Sequence, residues 1–257
     1  MRVAVLNDIH ANVTALDAVL SEIRETRVDG VVLGGDVLVG PMQRETLDRI
    51  RALNMPVHAL YGNAELAMMA QLDAATPDAV TYWGTTSGAP LPERYREWIR
   101  WCARDLSSED VSWVRTWPKT VRLALDGIGD VLFCHGTPTS ETDAFTVQTP
   151  EDVLTPVFDG LGVSLVVCGH THMQFDRMIG TTRVVNAGSV GSPFERTGAD
   201  WLVLGPDVQL RHNDYDLHGA AERIRATAFP GAQEFAQAVL TPPPEAAMLE
   251  TFTRISF

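Results

Sequence analysis

Five short stretches of this chain gather side chains that can hold a metal ion: Asn7-Asp8-Ile9-His10, Gly34-Gly35-Asp36, Gly62-Asn63-Ala64-Glu65, Cys134-His135-Gly136 and Gly169-His170-Thr171-His172. Asp8 and His10 are two residues apart, as are His170 and His172. In extended backbone such residues point to one face, so each pair is expected to aim two ligands at one place. Imidazole, carboxylate and amide oxygen together suit manganese, iron or zinc better than a thiolate-seeking metal. Asp8, His10, Asp36, Asn63, His135, His170 and His172 offer more donors than one cation uses. Two cations sharing one carboxylate would use them all. Such a pair, about 3.5–4 Å apart, clamps the attacking and leaving oxygens of an in-line displacement at phosphorus.

Each stretch follows a run that reads as a strand, and ligand sites in open α/β sheets lie beyond the carboxyl ends of strands. Strands are predicted over residues 2–6, 30–34 and 56–61, with helices at 15–23 and 46–53 between them, a pattern of parallel βα units. Beyond residue 120 strands dominate: 120–125, 130–134, 164–168, 174–179, 182–186, 201–204 and 208–212, with a helix at 150–161. Two sheets with helices outside fit this order better than one doubly wound sheet. Residues 72–118 hold five of the six tryptophans and two predicted helices, at 92–104 and 108–116. They read as a helical cap inserted in a single 257-residue domain. Helices return from about residue 218, and Pro242-Pro243-Pro244 opens a tail expected to be loosely attached.

Composition narrows the chemistry. With 45% hydrophobic and 21% charged residues, the chain is expected to fold rather than remain disordered. No apolar run is long enough to span a bilayer, and acid at Asp8 interrupts what a signal peptide would continue. A cytoplasmic location is expected. Three widely spaced cysteines suggest neither a disulfide framework nor a zinc ribbon. Twenty basic residues against 33 acidic ones give a net charge of −13, with no basic stripe to grip a nucleic-acid backbone. A small substrate is favoured over long DNA or RNA.

The ordered set D-x-H, G-D, G-N-x-E, H and G-H-x-H resembles the calcineurin-like metallophosphoesterases, and most closely their small bacterial phosphodiesterase-like branch. That resemblance implies a four-layer αββα sandwich of two mixed sheets. It implies two divalent cations, manganese first, with iron, zinc or nickel as alternatives. Asp8, His10 and His172 would hold one and Asn63, His135 and His170 the other, with Asp36 bridging. Asp36, Asn63 and His135 would be catalytic, and a metal-bridging hydroxide would attack phosphorus. Asn12 would reach a substrate phosphate oxygen, with a helix N-cap as the alternative. The chain departs from the family at one position: the histidine of G-N-H-D/E is Ala64. Loss of a general acid costs about 10²–10⁴-fold, most for a poor leaving group, so phosphodiesters or small nucleotide-like esters are expected over alkyl monoesters. Glu65 is a conceivable substitute donor. A metal-binding scaffold that does no chemistry is the alternative that Ala64 raises.

Other residues carry weaker signals. His58, His212 and His218 fall outside the pattern and are expected to be structural. Residues 186–191 resemble a family loop beside the site, or a simple glycine turn. Trp83, Tyr95, Trp98 and Trp101 could stack a base, but core packing is the expectation. Arg94, Arg96, Arg100 and Arg104 read as a solvated helix face.

Overall fold

In the first strand Val3 and Val5 face one way and Ala4 and Leu6 the other, and all four are buried. A strand apolar on both sides belongs in the middle of a covered sheet. The computed structural model describes residues 1–76 and 91–253. Along the chain run β1 (Val3–Leu6), α1 (Val13–Thr26), β2 (Gly30–Gly34), α2 (Gln43–Arg51), β3 (Val57–Leu60), α3 (Asn63–Asp73), α4 (Glu93–Asp105) and α5 (Ser108–Val114). Then follow β4 (Val121–Leu125), β5 (Gly129–Phe133), α6 (Glu151–Phe158), β6 (Leu165–Cys168), β7 (Phe175–Ile179), β8 (Thr182–Asn186), β9 (Ala199–Leu204) and β10 (Val208–Asn213). Helices α7 (Leu217–Arg225), α8 (Ala232–Leu240) and α9 (Glu245–Thr253) complete the order.

The strands form two mixed five-stranded sheets, ordered β10-β9-β1-β2-β3 and β4-β5-β6-β8-β7. Val3, Val5, Val32, Leu202 and Leu204 of the first sheet meet Val131, Phe133, Leu165, Val167 and Val185 of the second. The opposite faces take the helices. Ala4, Leu6, Val31 and Leu33 pack with Leu16, Val19 and Ile23 of α1, while Val166, Cys168 and Val184 pack with Leu154 and Phe158 of α6. This is the expected four-layer sandwich. Within it β1, β2 and β3 run parallel, as do β5, β6 and β8. The carboxyl ends of β1, β2, β3, β5 and β6 lead into the five metal-capable stretches.

Residues 77–90, with Trp83, lie outside the described residues. Elsewhere in the expected cap, Trp98 and Trp101 pack on Phe229, with ring centroids 5.1 and 5.4 Å away. Tyr95 meets Trp98 edge-on, so these rings serve packing. Arg94 pairs with Glu234, and Arg96 and Arg100 with Glu93. Helix α3 has no counterpart in the sequence reading, because its Ala, Leu and Met residues surround the axis and leave no amphipathic period to detect. The tail also departs from expectation. Helix α9 is docked: Glu195 donates its backbone N–H to the Pro243 carbonyl at 2.9 Å, and its carboxylate accepts from the Glu245 N–H at 2.8 Å.

Leu202 lies in the inter-sheet layer with no exposed surface. Leu202→Ala should therefore cost about 2–5 kcal/mol, read as a lowered urea midpoint with an unchanged slope.

Candidate metal centre

The metal-capable residues occupy the loops at the strand ends, and the backbone there is unusual. Asp8, His10, Asp36, His170 and His172 have φ of 52°, 47°, 50°, 67° and 57°. The left-handed region costs an L-residue about 1–2 kcal/mol. The expectation that each i, i+2 pair converges through extended backbone is thus corrected: the loops coil tightly, and left-handed turns aim the side chains. Surrounding bonds hold this shape. Asp8, His10 and Ala11 donate their N–H groups to the carbonyls of Gly35, Asp36 and Val37 at 2.8–3.0 Å, and Val190 and Gly191 donate to Asn7 and Asp8. A Cβ on Gly62 would lie 2.1 Å from Asp36 Oδ1, and one on Gly169 would lie 2.4 Å from Asp8 Oδ2. Only glycine lets those two carboxylates sit where they do.

Two groups of donors converge, Asp8 with His10 and His172, and Asp36 with His135 and His170. Within each, the ligand atoms lie within 4.8 Å of one another. Asn63 joins the second, its Oδ1 lying 3.0 Å from His135 Nε2. Asp36 spans both, 3.5 Å from His135 Nε2 through Oδ1 and 3.9 Å from His10 Nε2 through Oδ2. Asp8, Asp36, Asn63 and His135 are buried, while His10, His170 and His172 keep partial exposure on the open side.

Hydrogen-bond chemistry then says what this cluster lacks. The Nδ1 atoms of His10, His135 and His172 face the carbonyls of Val39, Gly34 and Ser192 at 3.2, 2.9 and 2.7 Å. A carbonyl only accepts, so Nδ1 carries a proton, and Nε2 is left to meet a cation through its lone pair or, with none bound, to take a second proton. The Nε2 atoms of His10 and His172 face each other at 3.2 Å, a pair that as lone pairs only repel and that a shared cation or a proton must reconcile. Asp8 Oδ1 lies 3.2 Å from His172 Nε2, is buried, and receives no hydrogen bond. A divalent cation satisfies all three atoms at once. The residues fit such an ion.

The charges point the same way. Burial disfavours ionisation of Asp8 and Asp36, but the facing histidines outweigh it and hold both carboxyls below their ordinary range. Burial likewise works against a charged His135, yet Asp36 and Asp8 draw its pKa up to about 10. His170 goes the other way, to about 4, through burial and the neighbouring His135. Metal-free, the cluster holds protons where a cation would otherwise serve.

Three sequence readings resolve here. The Asn12 amide has no exposed surface: it caps α1 by accepting from the Ala15 N–H at 3.2 Å, and donates to the Gly191 carbonyl and the Tyr215 hydroxyl. The N-cap alternative is what its atoms do, and a grip on substrate phosphate does not fit. Glu65 is not turned toward the cluster's open side. Its carboxylate is buried and accepts four backbone N–H groups, from Asp36 and Gly62 on one oxygen and Val37 and Leu38 on the other. Burial and the nearby Asp36 push this carboxyl up to about 7, against the pull of those donors. Residues 186–191 brace the site: Asn186 donates to the Gly169 carbonyl and Ser189 Oγ to the Asp8 carbonyl. His212 is elsewhere, bonded to Asp200, while His58 and His218 lie on β3 and α7. Unanticipated were Phe194, stacked on the His172 ring at 4.8 Å and 19°, and Phe252 of α9, whose ring is 6.2 Å from that of His170. Neither stands near a ligand motif in sequence.

Glu65→Gln keeps one acceptor oxygen and leaves two of the four N–H groups without a partner. Each buried orphan costs roughly 1–3 kcal/mol. Chemical denaturation should show a loss of about 2–6 kcal/mol, and metal titration should show weakened binding because Asp36 sits on that loop.

The comparisons agree with this geometry. The model of the calcineurin-like phosphoesterase superfamily domain matches residues 1–206, a span containing every residue of the two groups. An uncharacterised protein of Methanocaldococcus jannaschii is 22% identical over 248 residues, covering 89% of this chain and 93% of its own length. The structure of a hypothetical protein from Pyrococcus horikoshii is similar with a TM-score of 0.79 at 20% identity, over 95% of this chain and 99% of the other. A metallophosphoesterase from Sphaerobacter thermophilus follows at 0.68 and 22%, over 94% and 99%. At these identities the structural likeness speaks to fold, and the family match carries the assignment. By that match, the chain belongs to the calcineurin-like phosphoesterase superfamily.

Proposed function

We propose that this chain is a two-metal phosphoesterase that hydrolyses phosphodiesters or small nucleotide-like phosphate esters in preference to alkyl phosphomonoesters. The observation that supports this most is the convergence of the two His/Asp groups on a carboxylate, Asp36, that reaches both. Asp8, His10 and His172 would hold one cation, and Asn63, His135 and His170 the other, with manganese the expected metal. Bound there, two divalent cations supply Lewis acidity and offset the charge that grows on the phosphoryl oxygens. The rest falls to the chain. The backbone carbonyls of Val39, Gly34 and Ser192 fix the tautomers of three histidines. The Ala64 N–H orients Asp36 through a 2.8 Å bond to Oδ1.

Ala64 supports the substrate preference. Its methyl group is buried and has no proton to give, so a leaving group that departs as a stable anion is favoured. Asp36, Asn63 and His135 are the residues we assign to catalysis. The acidic chain favours a small anion drawn in by the cations over a long nucleic acid. Among the described residues, no helix is long and apolar enough to cross a membrane. The same alanine favours a second reading, a scaffold that binds metal without turnover.

Metal-stripped protein restored with manganese should hydrolyse bis(p-nitrophenyl) phosphate faster than p-nitrophenyl phosphate. An alkyl monoester should lag by about 10²–10⁴-fold. Bound metal with no turnover under manganese, zinc, nickel or iron would favour the scaffold instead. Asp36→Asn should lower metal content and cut turnover by about 100-fold or more, measured by elemental analysis beside the rate.

A further inference from the structure

Helix α9 lies beyond the residues matched by the family model, yet it ends against the metal centre. Phe194 stacks on His172, a member of the first donor group, with ring centroids 4.8 Å apart and nearly parallel planes. Phe252 lies 6.2 Å from His170, a member of the second. The two phenylalanine rings are 6.4 Å apart and tilted by 33°. Each partly exposed histidine of the GHxH pair therefore has an aromatic ring beside it, one from the loop after β8 and one from the C-terminal helix. Glu195 joins the two parts. It adjoins Phe194, stands at φ 70°, and holds α9 by two hydrogen bonds, to the Pro243 carbonyl and from the Glu245 N–H.

We infer that Phe252 is a specificity-determining residue: with Phe194 it forms an aromatic wall beside the metal centre that receives a flat, aromatic leaving group, and Glu195 is the positioning residue that keeps α9 in place. This inference rests on the phosphoesterase reading. Two independent features converge on one substrate chemistry. The stack of His172 and Phe194 continues toward Phe252, and ring faces at such spacing favour another ring over an aliphatic chain. Ala64 supplies no proton, which suits a leaving group that departs as an aryloxide and not one that departs as an alkoxide. In the hydrolysis, the water oxygen bonds to phosphorus and the aryl oxygen leaves with the electron pair of its P–O bond. One proton of the water stays on the phosphate product, and the other passes to solvent.

The test compares full-length wild type, Phe252→Leu and Phe252→Tyr, all loaded with manganese, in calorimetric titrations with phenylphosphonate and methylphosphonate. Neither ligand can be hydrolysed, so binding is read apart from turnover. Wild type and Phe252→Tyr should prefer phenylphosphonate by about 3- to 10-fold, and Phe252→Leu should bring that ratio close to one. The kcat/KM ratio for a phenyl phosphodiester over a fluoroalkyl phosphodiester of matched leaving-group acidity should fall in parallel. Glu195→Ala should raise KM for the phenyl ester, and Glu195→Gln, which keeps an acceptor for the Glu245 N–H, should restore it. An unchanged ratio in Phe252→Leu would overturn the inference and leave the phosphoesterase reading standing. So would an equal change for both ligands, which would make α9 a simple obstruction. A wild type that binds neither phosphonate and turns over neither ester would overturn both.

Discussion

The structure depends on a local imbalance: buried carboxylates and imidazole nitrogens crowd one end of two sheets with more acceptor sites than the surrounding protein donors satisfy. Asp8 Oδ1 is without a hydrogen bond, and the Nε2 atoms of His10 and His172 oppose each other. An arrangement like this raises the free energy of the metal-free fold, and the surroundings must hold it in place. They do so through the four N–H groups on Glu65, the carbonyls behind three histidines and the hydrogen bonds between the strand-end loops. The sandwich supplies the rigid frame from which those loops depart.

Much of this was legible in the sequence because the chemistry is written in order. Asp8, His10, Asp36, Asn63, His135, His170 and His172 each follow a short apolar run, and two parallel-strand patterns brought them to one end. The order of strands and helices gave two sheets with helices outside, and the family resemblance implied the four-layer sandwich. Other features left weaker traces. Left-handed backbone at Asp8, His10, Asp36, His170 and His172 is invisible to a rule that alternates faces along an extended chain, although the neighbouring glycines hint at turns. In helix α3 the apolar residues are spread around the axis rather than gathered on one face, so periodicity had nothing to report. The role of Glu65 depends on backbone N–H groups from Asp36, Val37 and Leu38, which residue type does not reveal. The three prolines that open the tail read as detachment, whereas the contact that docks the tail comes from Glu195, almost 50 residues earlier.

Strain and acidity also connect the site to the whole chain. Five of the ligand residues are themselves left-handed, and such outliers persist only where many bonds over-determine them. The net charge of −13 places an anionic substrate in a repulsive field at long range. Attraction must then come from short range, where cations would face the open side lined by His10, His170 and His172. Salt screens the long-range part more than the short-range part, which fits a compact ligand better than an extended polyanion.

The opposite placement of the start of β1 and the end of α9 has a practical side. Met1 lies at the amino end of β1, paired with Asp126, at the opposite end of that strand from the loop that carries Asp8 and His10. Helix α9 finishes beside His170. Histidines grafted onto the last turn of that helix would bring competing imidazoles to the metals. Purification handles, fluorophores and surface tethers are better placed beside the start of β1 than on α9.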